Sequence, residues 1–208
     1  MDEYERFGPE PGADDAADAG ASAPGAQPAA PGPGGNPVVA EILDWARSIL
    51  IAVVLAFIIK ATVIQAYVIP TGSMKPTIME QDRVFGNRFI YKFQTPHRGD
   101  IIAFRPPPGV SQDNIPFLKR VIAVEGDTIE IRQGEVYLNG NHDPEPFVKN
   151  HSLETLPIMT VPKGQLFVMG DNRTSSFDSR NWSFLPARNV QAKAFFRFWP
   201  PGRVGSLY

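Results

Sequence analysis

Ser73 lies in the segment Pro70-Thr71-Gly72-Ser73-Met74-Lys75-Pro76-Thr77. Glycine beside serine lets the backbone approach a substrate closely, and a serine at such a corner aims its hydroxyl and its amide hydrogen at one point. A serine nucleophile needs a base. The three histidines, His97, His142 and His151, stand in polar stretches rich in Pro or Asn, and none belongs to a recognisable triad motif. The alternative is a lysine kept neutral by burial, whose free pKa of about 10.4 must fall by several units. Lys119 fits, because Phe117 and Leu118 precede it and Val121-Ile122-Ala123-Val124 follow Arg120. A third cluster, Gly170-Asp171-Asn172-Arg173-Thr174-Ser175-Ser176-Phe177-Asp178-Ser179-Arg180, comes directly after an apolar run and suits a buried hydrogen-bonded network. Residue by residue, alternatives stay open: a serine in a Pro/Gly turn is an ordinary turn residue, an edge-strand lysine can face water, and a polar loop can be solvated.

Composition narrows the chemistry. The 208-residue chain has no cysteine, so it has no disulfide framework, no thiolate nucleophile and no cysteine-ligated metal centre. With 20 basic and 22 acidic residues the net charge is −2, which provides no basic stripe for a phosphate backbone; nucleic acid is not an expected partner. His142, Asp143 and His151 match no compact ligand spacing, so no metal site is expected.

The elements that must position these residues fall into three parts. Residues 1–37 are almost entirely Ala, Pro, Gly and acidic residues, the composition of a disordered tail. An apolar run follows from Ser48 to Ile59, and the window Trp45 to Val68 is long enough for one transmembrane helix, giving an anchor over residues 38–66. Beyond it, residues 67–208 read as a mainly β domain. Arg83 to Tyr91, Asp100 to Phe104, Leu118 to Glu125, Thr128 to Arg132, Glu135 to Leu138, Gln165 to Met169 and Phe195 to Trp199 are short runs rich in Val, Ile, Phe and Tyr between Gly, Pro or Asn. Gln133-Gly134 predicts a hairpin turn, and helical turns are expected after Pro76 and Pro186.

Together these segments resemble the bacterial type I signal peptidases, membrane-anchored serine proteases with a Ser/Lys dyad. The resemblance rests on the serine box around Ser73-Met74, the strand Arg98-Gly99-Asp100-Ile101-Ile102-Ala103-Phe104, and the lysine box Lys119-Arg120-Val121 that ends at Gly126-Asp127. The fourth box is the Gly-Asp-Asn-Arg run from Gly170 that closes with Asp178-Ser179-Arg180. It implies an antiparallel β catalytic domain with a small accessory β region over residues 128–160, behind one transmembrane helix. In the roles it implies, Ser73 is nucleophile and Lys119 general base, Ser176 orients the lysine amine, and the Ser73 amide with the Thr71 hydroxyl forms the oxyanion hole. Asp178 and Arg180 form a supporting ion pair. The substrate would lie as an extended strand between Tyr67 to Pro70 and Pro116 to Leu118, with Ile69, Pro70, Met74, Ile78 and Leu118 shaping shallow pockets for small side chains.

The resemblance further implies a monomer, without metal or organic cofactor, that acts on the signal peptides of exported preproteins. Its single pass would lie in the lipid bilayer of the cytoplasmic membrane, with the catalytic domain on the outer face. Thr71 stands where some members have serine, and Val124-Glu125 where many have Leu-Pro.

Overall fold

The computed structural model describes residues 36–111 and 115–208, so the tail expected over residues 1–37 lies, apart from Asn36 and Pro37, outside the described residues. The chain divides into two units, Met1–Trp45 and Ala46–Tyr208. Helix α1 (Pro37–Val63) runs through the division. Its start is set locally: the Asn36 side chain accepts the Val38 amide at 3.3 Å, and proline occupies the first helical position, where no amide hydrogen is needed. From Val38 to Ile58 every residue of α1 is exposed.

The helix ends earlier than the apolar run. Ile64–Val68 forms β1, paired antiparallel with β2 (Arg83–Asn87), so the expected window Trp45 to Val68 is helix only as far as Val63. The β-branched and aromatic residues Ile64, Tyr67 and Val68 satisfy their backbone groups in a ladder. Gly86 permits this pairing, since a Cβ there would stand 2.7 Å from the Tyr67 ring. Among the described residues, no helix is long and apolar enough to cross a membrane.

The remaining strands are β3 (Ile101–Phe104), β4 (Phe117–Val124), β5 (Thr128–Arg132), β6 (Glu135–Leu138), β7 (Asn141–His142), β8 (Leu156–Thr160), β9 (Gln165–Met169), β10 (Leu185–Pro186), β11 (Val190–Trp199) and β12 (Gly205–Ser206). One antiparallel sheet has the order β1-β2-β11-β3-β4-β9-β10, with β12 on β11. A small second sheet, β7-β6-β5-β8, falls within residues 128–160, where the accessory region is expected, and Gln133 and Gly134 take positive φ of 48° and 88° in its β5–β6 hairpin. The helical turn expected after Pro186 appears as a 3-10 turn at Ala187–Asn189, whereas the segment after Pro76 stays an irregular turn. A four-residue helix, α2 (Ser179–Trp182), follows Asp178.

β4 is an interior strand, flanked by β3 with Ile102 opposite Lys119 and by β9 with Met169 opposite Arg120. That placement removes the solvent-facing edge lysine as an account of Lys119. One apolar cluster, containing Tyr67, Ile69, Met74, Ile78, Val84 and Ile101, packs beneath the turn that carries Ser73. A second joins the small sheet to β4 and β9 through Ile129, Ile131, Val136, Ile122 and Phe167.

Candidate active site

The Lys119 Nζ lies 2.6 Å from the Ser73 Oγ, although 46 positions separate them in the chain. β4 delivers the lysine and the turn after Ile69 delivers the serine. Only 4% of Lys119 is exposed. Burial drives its pKa down to about 8; the charges of Asp178 and Asp171 pull it upward and that of Arg180 pushes it lower. A lysine with that pKa is partly neutral near pH 7 to 8, so its lone pair can take the serine proton. The Thr71 Oγ1, one of the two expected oxyanion donors, stands 3.5 Å from the Ser73 Oγ.

The backbone of the serine turn is held from outside. The Asn172 amide donates to the Ser73 carbonyl at 3.1 Å and its side-chain amide donates to the Gly72 carbonyl at 3.1 Å. Arg120 grips Asp171 with two bonds, of 2.9 and 2.7 Å, and Thr77 donates its hydroxyl to the same carboxylate at 2.5 Å. Asp178 and Arg180 form the expected ion pair, at 2.8 and 2.9 Å. Burial alone would raise the Asp178 pKa, but the hydrogen bonds and charge of Arg180 hold it below the usual carboxylate range. The carboxylate also accepts the Gly170 amide at 3.0 Å and the Arg180 amide at 3.3 Å at the start of α2.

Gly170 leaves no room for a side chain, since a Cβ would collide with the Ser73 carbonyl and the Ser176 hydroxyl. Ser176 thus sits against the same glycine as Ser73. Its hydroxyl is buried and lies toward Asp178, where it helps to hold that carboxylate's pKa down, and no hydrogen bond joins it to the Lys119 amine among the described residues.

A cavity of about 530 Å³ opens over the dyad. Tyr67, Ile69, Pro70, Thr71, Met74 and Leu118 line it with Ser73 and Lys119, as expected. Ile78 does not line it: this side chain is fully buried in the cluster beneath the turn, because the chain between Met74 and Ile78 curls inward through the Ile78 amide to Met74 carbonyl bond of 2.9 Å. Ile115 and Phe177 also line the cavity, 51% and 53% exposed, and were not anticipated. The signal for Phe177 was available, as an aromatic set inside an otherwise polar box.

A family model described as signal peptidase, peptidase S26, matches residues 42–199. The chain belongs to this family. It is thereby a serine-type endopeptidase, a hydrolase, and its mainly β fold is that of a signal peptidase. Probable signal peptidase I-1 of Synechocystis sp. is 40% identical over 163 residues, covering 76% of this chain and 83% of the relative. Thylakoidal processing peptidase 1, chloroplastic, of Arabidopsis thaliana is 36% identical over 177 residues, which is 81% of this chain but only 52% of the longer relative. A crystal structure of a signal peptidase I from Enterococcus faecalis aligns with a TM-score of 0.41 and 30% identity, covering 48% of this chain and 97% of that one.

Proposed function

We propose that this peptidase removes signal peptides from exported preproteins, cleaving after small residues through a Ser73/Lys119 dyad and an acyl-enzyme. The observation that carries the reading is the 2.6 Å contact between Lys119 Nζ and Ser73 Oγ on a lysine whose pKa burial lowers to about 8. Ser73 Oγ attacks the scissile carbonyl carbon while its proton passes to the neutral Lys119 amine. The tetrahedral oxyanion is met by the Ser73 amide and the Thr71 hydroxyl. The carbon–nitrogen bond then breaks, and the lysine ammonium returns its proton to the leaving amine. Water, deprotonated by Lys119, releases the acyl group and regenerates the serine. Ser176 enters this cycle as its hydroxyl turns from Asp178 to the lysine ammonium, which gains a hydrogen-bonding partner as it forms.

The substrate is proposed to run extended between Tyr67 to Pro70 and Pro116 to Leu118, so that alternate side chains share a face. Ile69, Met74 and Leu118 leave room there for alanine-sized groups. The exposed apolar surface of α1 supports a lipid-bound setting; a catalytic domain on the outer face of the cytoplasmic membrane, acting as a monomer, is proposed on the family resemblance alone. The test is cleavage of a purified preprotein in detergent by wild type, Ser73→Ala and Lys119→Ala, with a second substrate carrying leucine in place of the alanine before the cut. Both variants should lose activity without losing the fold, and the leucine substrate should resist wild type. Near wild-type turnover by either variant refutes the dyad, and equal cleavage of both substrates refutes the pocket.

A further inference from the structure

The segment Asp143–Asn150 follows β7, and none of its residues is among those lining the cleft. Three of its side chains nevertheless end on the residues that hold the serine turn. The Glu145 carboxylate takes both terminal nitrogens of Arg173, with Nη2 to Oε1 at 2.6 Å. The side chains of this pair are 0% and 5% exposed, and Arg173 also donates through Nε to the Gly170 carbonyl at 3.1 Å. The Phe147 ring covers Arg120, whose guanidinium carbon stands 3.9 Å from the ring centre. Asn150 makes a parallel bridge to Asn172 and donates through Nδ2 to its Oδ1 at 3.3 Å.

The contacts reach the serine turn through intermediaries. Asn172 grips the Ser73 and Gly72 carbonyls, Arg120 grips Asp171 and through it Thr77, and Arg173 fixes Gly170, which packs on the Ser73 carbonyl. The chemistry explains why a strap is required. A guanidinium keeps its charge throughout the working pH range, so Arg173, with no exposed side-chain surface, needs the carboxylate of Glu145 as counter-charge. Phe147 meanwhile shields the Arg120–Asp171 pair and offers the guanidinium its ring face. We propose that the strap Asp143–Asn150, acting through Glu145 and Phe147, is a positioning element that holds Ser73 in line with Lys119. The proposal rests on the Ser73/Lys119 reading and assigns the accessory region a part in the reaction without any contact to substrate.

The experiment compares full-length wild type, Glu145→Gln, Phe147→Leu and Phe147→Tyr in detergent on a short soluble substrate. Single-turnover rates are taken per active site from burst amplitude, across pH 6 to 10, with melting followed by circular dichroism. Misplacement of reacting groups by about 1 Å costs on the order of 100-fold in rate. Glu145→Gln and Phe147→Leu should therefore lose about 10-fold or more of the plateau rate, with KM within about two-fold and the rising limb below the plateau unmoved, while Phe147→Tyr recovers most of the rate. The unmoved limb matters because the strap does not touch Lys119, whereas general loosening would admit water and carry the limb toward the free lysine value. Wild-type rates per active site in both truncating variants would overturn the proposal, as would a displaced limb or unfolding of both. Ser73→Ala in the same assay tests the underlying reading by itself: residual full activity there would end the dyad, while an inactive Ser73→Ala beside a fully active Glu145→Gln would end the strap alone.

Discussion

Lys119 ties rate and stability to one titration. With a pKa of about 8, the amine is neutral in about one site in a hundred at pH 6, one in ten at pH 7 and nine in ten at pH 9. The single-turnover rate should thus climb about tenfold per pH unit below 8 and level off above about 9. The same residue should weaken the fold. Between about 8 and 10.5 the unfolded chain keeps the lysine proton that the folded chain has shed, so stability rises with pH across that window, and the penalty is complete below it. Its size is on the order of 3 kcal/mol. Lys119→Met keeps the volume and removes the amine, and it forfeits a hydrogen bond to Ser73 worth about 1 kcal/mol. At pH 7 the variant should be inactive yet more stable by about 2 kcal/mol, an advantage that vanishes and reverses by about pH 11. Urea melts of both proteins at pH 7 and pH 10.5, beside the rate profile, measure all of this. A flat rate profile from pH 5 to 10 with chemistry limiting, or a stability difference that ignores pH, would refute the reasoning.

Two further outcomes follow from the packing around the serine turn. Asp171→Asn leaves the Arg120 guanidinium, whose side chain is 6% exposed, without its counter-charge, and should cost about 3–5 kcal/mol in urea unfolding. Gly170→Ala drives a methyl group into the Ser73 carbonyl and the Ser176 hydroxyl; its single-turnover rate should fall about 100-fold while circular dichroism still reports the native sheet.

The proposed dyad could be picked out because its two members, which the structure places 2.6 Å apart, sit in contexts with a physical meaning: a Pro/Gly corner for Ser73 and apolar runs on either side of Lys119-Arg120. Most strand cores were legible for the same reason, through β-branched and aromatic residues bounded by turns. The boundary between α1 and β1 was not, since hydropathy is the same for a helix and for a buried strand, and the decision rests on pairing with Arg83–Asn87 some twenty residues later. β8 escaped notice because Pro157 interrupts Leu156–Thr160, which pairs with β5 on one side only. Ile78 looked like a pocket residue because it is apolar and close to Ser73, but the turn points it the other way. The partners of Arg120 and Arg173 carried no signal either: Asp171 and Glu145 stand 51 and 28 positions away among many acids, and only the folded sheets choose between them.

The hydroxyl of Thr77 meets Asp171 across 94 positions, and the serine turn is clamped by a loop that follows β9. Contacts of such long range form late, after the loop-closure entropy of the intervening chain has been overcome. A chain still emerging during synthesis, with Ser73 and Lys119 already made but Asp171 not yet added, holds both reactive side chains without the clamp that aligns them. Proteolytic competence therefore arrives only when most of the chain exists. Among the described residues, the clamp on the serine turn is thus completed by a segment that lies near the end of the chain.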